Sequence, residues 1–156
     1  MVDLGCGTGV LPIVMSENGG YKGPVYSFDN MPNAIDATEM NSKIFGMSNR
    51  VQAKEADIVD LYFKDLEQPE KEDVNNAKEN QFYRGLAKDL DFPFKVDMVV
   101  CNPPWIPADF VKATSPLDNG VYDPDEKFLK SAFNFCRVHL DKDKGEMLLI
   151  YSDLAY

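Results

Sequence analysis

The glycine loop at the start of the chain constrains the fold more than any other feature. Met1-Val2-Asp3-Leu4 is short and apolar at alternate sites, and it runs straight into Gly5-Cys6-Gly7-Thr8-Gly9. Val10 to Asn18 then reads as a helix stopped by Gly19-Gly20. A strand that turns this sharply into a helix needs positive φ and close backbone approach, which glycine permits. Such a turn leaves N–H groups at the helix start for a carboxylate or phosphate. By itself the loop indicates only a nucleotide-like ligand on a strand-to-helix turn.

The rest of the chain repeats the strand–helix alternation. Val25 to Phe28 reads as a second strand closed by Asp29, and Asn33 to Phe45 as a helix stopped by Gly46. Val51 to Ala56 reads as a third strand and Lys95 to Cys101 as a fourth. Pro124, with Asp125 and Glu126 beside it, sits where a first helical turn should begin; that helix should reach His139 or Leu140. His139 is expected near solvent. Glu146 to Tyr151 reads as a fifth strand. Alternation of this kind predicts an α/β fold: a doubly wound, mainly parallel, Rossmann-like sheet with helices on both faces. Positions 57–91 show the weakest pattern, with eight acidic residues between Asp65 and Asp91. An acidic, solvated insertion is expected at about 64–92, inside a single domain spanning 1–156.

Composition narrows the partners. A length of 156 residues suits one hydrophobic core. No apolar run approaches the roughly 20 residues of a membrane helix, so no membrane association is expected. Cys6, Cys101 and Cys136 are far apart and the only histidine is His139. That argues against a disulfide framework, a metal site or a histidine-based triad, and suits a reducing, cytoplasmic setting. The formal net charge of −10 opposes phosphate neutralisation on a nucleic acid unless a local basic patch or a partner subunit supplies charge.

The spacing within the loop, and the residues downstream of it, narrow the ligand. A dinucleotide-binding G-x-G-x-x-G would place glycine at position 10, but this chain has Val10 and its third glycine at Gly9. The string Val2 to Gly9 resembles the first motif of class I S-adenosylmethionine-dependent methyltransferases. Asp29 lies twenty residues after Gly9, where a carboxylate can accept hydrogen bonds from ribose hydroxyls or cap a helix. The stretch from Asn30 through Asn33-Ala34 and Ala37-Thr38 to Asn41 is similar to the same family's small-domain members. The resemblance assigns Gly5, Cys6, Gly7, Thr8, Gly9 and Asn30 to the cofactor. It implies Asp3 near the cofactor's amino-acid end, Asp29 on the ribose, and Asp57 on the adenine amino group, with Glu55 an equal neighbour.

Asn102-Pro103-Pro104-Trp105 lies just after the fourth strand and bears on the reaction. An amide or an exocyclic amine of a base is a poor nucleophile, because its lone pair is delocalised. Its nitrogen gains positive charge as a methyl group arrives. Acceptors fixed on its N–H groups therefore stabilise the transition state more than the ground state. The Asn102 side-chain oxygen and the Pro103 carbonyl can form that pair, tandem prolines stiffen the turn, and Trp105 offers a stacking face. The tetrapeptide resembles the N-P-P-[YFW] motif of N-methyltransferases acting on glutamine amides or on amines of adenine and guanine. Asn102 would border both cofactor and acceptor, and the loop from Ile106 to Asp123 should border the acceptor pocket.

The resemblance runs from Val2 to Asp153 apart from the insertion. The family usually has residues before the first strand and often two strands after the fifth, so this chain reads as truncated at both ends. The expected function is transfer of a methyl group from S-adenosylmethionine to a planar nitrogen of a protein or nucleic acid, with S-adenosylhomocysteine as product. The alternative is a non-catalytic S-adenosylmethionine-binding module or subunit. A nicotinamide-dependent oxidoreductase is disfavoured by Val10.

Overall fold

Five parallel strands carry the predicted alternation into one sheet. The computed structural model describes residues 1–62, 92–93, 95–106, 115, 118 and 120–152. Among these, β1 is Val2–Leu4, β2 Val25–Asp29, β3 Val51–Glu55, β4 Met98–Cys101 and β5 Glu146–Leu149. The helices are α1 (Val10–Glu17), α2 (Pro32–Ile44), α3 (Ile58–Tyr62) and α4 (Lys127–His139). The spatial order is β3-β2-β1-β4-β5. Order therefore reverses between β1 and β4, where sheets of this kind open a crevice at the strands' carboxyl ends.

Residue alternation builds a core on each face of the sheet. Val2, Leu4, Tyr26, Phe28, Val99 and Cys101 pack with Ala132 and Phe135 of α4. Met1, Val25 and Val100 point the other way and meet Leu11 and Met15 of α1. This is the doubly wound arrangement expected. The stop at Gly46 also has a clear cause. Gly46 takes φ +65°, its N–H donates to the Lys43 carbonyl, and the Met47 N–H reaches back to Ser42 at 2.7 Å. That pair of bonds is the Schellman closure, and it buries Met47 beneath the helix end.

Three expectations change. His139 is fully buried, not near solvent. Its ring lies 4.7 Å from Phe135 and 5.8 Å from Phe92, centroid to centroid. Its carbonyl accepts the Val96 N–H, so the last turn of α4 is held against the chain entering β4. Phe92, at the end of the stretch read as a solvated insertion, is buried and edge-on to Tyr26 and Phe28. Positions 63–91 and 94 lie outside the described residues. Pro124 opens a 3-10 turn, Pro124–Glu126, and the α-helix starts only at Lys127. No described helix is long and apolar enough to cross a membrane, and no metal-ligating cluster occurs among the described residues.

Candidate functional site

At the carboxyl end of β1 the loop folds back on β2. The Gly5 and Cys6 N–H groups both donate to the Phe28 carbonyl, at 2.9 and 3.0 Å. The Gly9 N–H donates to Cys6, and the Gly7 N–H donates to the Asp29 carboxylate at 2.9 Å. The sequence suggested free N–H groups facing a ligand; these four are spent inside the protein. Those four are not available to a phosphate. Gly5 has φ +70°, a conformation that favours glycine, and a Cβ there would press on the Phe128 ring at 3.1 Å. At Gly7 a Cβ would meet nothing within 4 Å, since this residue faces an open cleft. Gly9 starts α1 against Thr38, away from the cleft.

The cleft has a volume of about 590 Å³ and lies over the reversal of strand order. Gly5, Gly7, Thr8, Asp29, Asn30, Asp57, Asn102 and Pro104 all border it. The Asp29 carboxylate joins the loop to the start of α2, accepting the Met31 N–H at 3.0 Å as well as that of Gly7. Lone pairs on both oxygens remain for a ligand. Asp57 caps α3 by accepting the Val59 and Asp60 N–H groups, and Asn30 donates to it across the ends of β2 and β3. Glu55 does not border the cleft. Among the described residues, the walls present three carboxylates, Asp29, Asp57 and Asp123, against one ammonium, Lys127. That balance favours a ligand carrying positive charge.

Asp3 and Cys6 lie behind the loop rather than on the cleft. Asp3 is fully buried, and neither carboxylate oxygen has a hydrogen-bond partner among the described residues. Ser27, in register with it on β2, has a hydroxyl that likewise finds no partner among the described residues. Burial, with the negative charge of Asp29 adding to it, pushes the Asp3 carboxyl up to about 8. The Cys6 thiol accepts from the Thr38 hydroxyl at 3.3 Å, and burial pushes it up to about 12, so it is no nucleophile at neutral pH.

Across the strand reversal, β4 delivers Asn102-Pro103-Pro104-Trp105. Asn102 is exposed on the cleft and its side chain bonds no described residue. Pro103 and Pro104 are buried, which holds the turn stiff; Pro104 borders the cleft, whereas Pro103, expected as an acceptor, does not. Trp105 is 37% exposed and does not border the cleft. Ile106 then forms a parallel bridge with Tyr122, and the Asp123 N–H donates to the Ile106 carbonyl at 3.0 Å. This return brings Tyr122 and Asp123 to the cleft, at the end of the loop expected to border the acceptor pocket, together with Phe128, which sequence reasoning did not assign to it. Asp123-Pro124 is a recognisable helix-start signal. Positions 107–114, 116, 117 and 119 of this loop lie outside the described residues.

Known proteins share this arrangement of strands and helices. The sequence profile of a family described as a methyltransferase domain matches residues 1–155. Over 61 residues the chain is 34% identical to a probable cobalt-precorrin-6B C(15)-methyltransferase (decarboxylating) of Pyrobaculum aerophilum, which covers 39% of this chain and 31% of that relative. The fold is similar to that of TrmN from Thermus thermophilus, with a TM-score of 0.55, 16% identity, and coverage of 99% of this chain and 33% of that one. It is also similar to the StiE O-MT structure, with a TM-score of 0.51, 16% identity, and coverage of 95% and 35%. The chain thus spans about a third of the length of these relatives. With the profile matched over nearly its whole length, this chain belongs to the methyltransferase domain family.

Proposed function

We propose that the chain binds S-adenosylmethionine in this cleft and methylates a planar nitrogen. S-adenosylmethionine is the methyl donor the family implies, and the residues present fit it. It carries a sulfonium and an ammonium group and no phosphate. The cleft is rich in carboxylates, and the N–H groups of Gly5, Cys6, Gly7 and Gly9 are already bonded internally. Asp29, Asn30 and Asp57 would hold its nucleoside half. Gly5, Gly7 and Thr8 would border its amino-acid half, with Asp3 behind them. When bound, the donor supplies an electrophilic methyl group on a positively charged sulfur.

The observation that carries the acceptor reading is the Asn102 side chain, which bonds no described residue and stands on the cleft one strand away from the glycine loop. Its amide oxygen would accept an N–H bond of an amide or aromatic amine. It would hold the nitrogen's lone pair toward the methyl group and stabilise the positive charge that develops. Its backbone changes little, because the prolines fix the turn. The Pro103 carbonyl, the second acceptor expected from the sequence, belongs to a residue that does not border the cleft. The proton can leave afterwards, so no general base is needed. Acceptors of this type are glutamine amides in protein and the amines of adenine or guanine. The net charge of −10 leans toward protein, or toward RNA bound with a partner's help.

Asn102→Ala tests this reading. The turnover number should fall by about 10²–10³, while affinity for S-adenosylhomocysteine, measured by calorimetry, stays within about three-fold. Equal loss of both, or no loss, sinks the role. If the wild-type chain incorporates no labelled methyl group into total RNA or cell protein, the non-catalytic module becomes the better reading.

A further inference from the structure

We infer that Tyr122, not Trp105, provides the face on which the planar acceptor lies, with Asn102 beside it taking the N–H bonds. This rests on the planar-nitrogen reading above. Trp105 belongs to the tetrapeptide that suggested stacking, yet it lies off the cleft. Tyr122 borders the cleft together with Asn102 and Pro104. The parallel bridge between Ile106 and Tyr122 places it there, just beyond the end of that tetrapeptide.

The backbone on both sides of Tyr122 is pinned. The Ile106 N–H donates to the Val121 carbonyl at 3.0 Å, and the Asp123 N–H donates to the Ile106 carbonyl at 3.0 Å. The Tyr122 N–H itself donates to the Asp118 carbonyl at 2.8 Å. The Asp123 carboxylate accepts the Phe128 and Leu129 N–H groups, which fixes the next residue to the start of α4. A ring on such a support costs little ordering entropy when a flat ligand meets it.

The other cleft aromatic is already committed. Phe128 packs against the core and lies close over Gly5. It therefore belongs to the glycine-loop side, where the cofactor's amino-acid half would sit. Tyr122 is not part of either core cluster. The division gives each bound group its own aromatic wall. Gly120, which also borders the cleft, adds no side chain beside Tyr122.

The test uses the full chain, methyl-labelled S-adenosylmethionine, and the pool, RNA or cell protein, that accepts label. Tyr122→Leu keeps apolar bulk and removes the π face. It should raise half-saturation for that pool about 10- to 100-fold, as loss of base–aromatic stacking does. S-adenosylhomocysteine affinity should stay within about three-fold, which also reports an intact fold. Tyr122→Phe should restore most of the wild-type value, and Trp105→Leu should have a smaller effect than Tyr122→Leu. A larger effect from Trp105→Leu overturns the assignment. So does a Tyr122→Leu variant that is unaffected, or one that loses acceptor and cofactor binding alike. Mass analysis of the product separates the two layers. Methyl on oxygen or carbon, or no transfer at all, removes the planar-nitrogen reading and this one with it. Methyl on a planar nitrogen with an unaffected Tyr122→Leu removes only this one.

Discussion

Asp3 illustrates how one residue couples site and stability. Its position in β1 puts a carboxyl inside the sheet with no partner for either oxygen among the described residues. An unfolded aspartate titrates near 4, whereas here burial pushes it up to about 8. The folded state therefore holds a proton that the unfolded state has released between these values. Stability should be greatest on the acid side of that window, fall as pH rises from about 4 to about 8, and level off above it. Asp3→Asn should flatten that slope by an amount on the order of a few kcal/mol, read as urea midpoints across the pH range. Asp123, also raised by burial, contributes a slope of the same sign and remains in the variant. An unchanged slope would show that Asp3 is ionised and partnered by something else. The sequence marked Asp3 as part of the loop motif. It could not show that the side chain is cut off from water, because that depends on β2, β4 and α1 closing around it.

The start of α4 shows the same limit for a whole element. Local signals place a helix over Pro124 to His139, and its far end is as expected. Its beginning differs because Asp123 is bonded in two directions. Its backbone bonds Ile106, and its carboxylate caps α4 at Phe128 and Leu129. To satisfy both, Asp125 and Glu126 adopt left-handed φ of 59° and 55°, a conformation costing roughly 1–2 kcal/mol per residue outside glycine. The ion pairs of these two with Lys127 and Lys130 are solvent-exposed and recover little of it. Asp123→Ala should cost about 1–2 kcal/mol, as a lost cap does. For a chain of this size that lowers the melting temperature by about 2–8 °C. Because α4 carries Phe128 onto Gly5, affinity for S-adenosylhomocysteine should fall as well. A variant that melts like wild type would show that these two bonds do not hold the helix start.

Across the molecule, the strand order decides where chemistry can occur. β1 and β4 are neighbours although they are nearly a hundred residues apart, so the glycine loop and Asn102 open onto one cleft. Ligand binding there should stabilise the fold by linkage. S-adenosylhomocysteine at about 100 times its dissociation constant should add about 2.7 kcal/mol, seen as a rise in melting temperature. NAD at the same concentration should not, since its pyrophosphate would meet a carboxylate-rich cleft and a loop with four of its N–H groups already bonded. A comparable rise with NAD would overturn the cofactor assignment. Raising the salt concentration should leave the S-adenosylhomocysteine effect largely in place, because partly enclosed charges are screened less than surface ones.

The order of strands and helices, the glycine turn, and the acidic and Asn-Pro-Pro-Trp strand ends were all legible in the residues themselves. Each is written in near neighbours along the chain, as apolar period, backbone freedom or proline stiffness. Folding was needed to show that Asp3 and His139 are buried and that four of the loop's N–H groups are bonded within the protein. It was needed again to show that Trp105 and Pro103 stand aside, which residues of the expected loop reach the cleft, and that Phe128 joins them. Those outcomes depend on contacts between segments distant in the chain, and such contacts exist only once the sheet has chosen its neighbours.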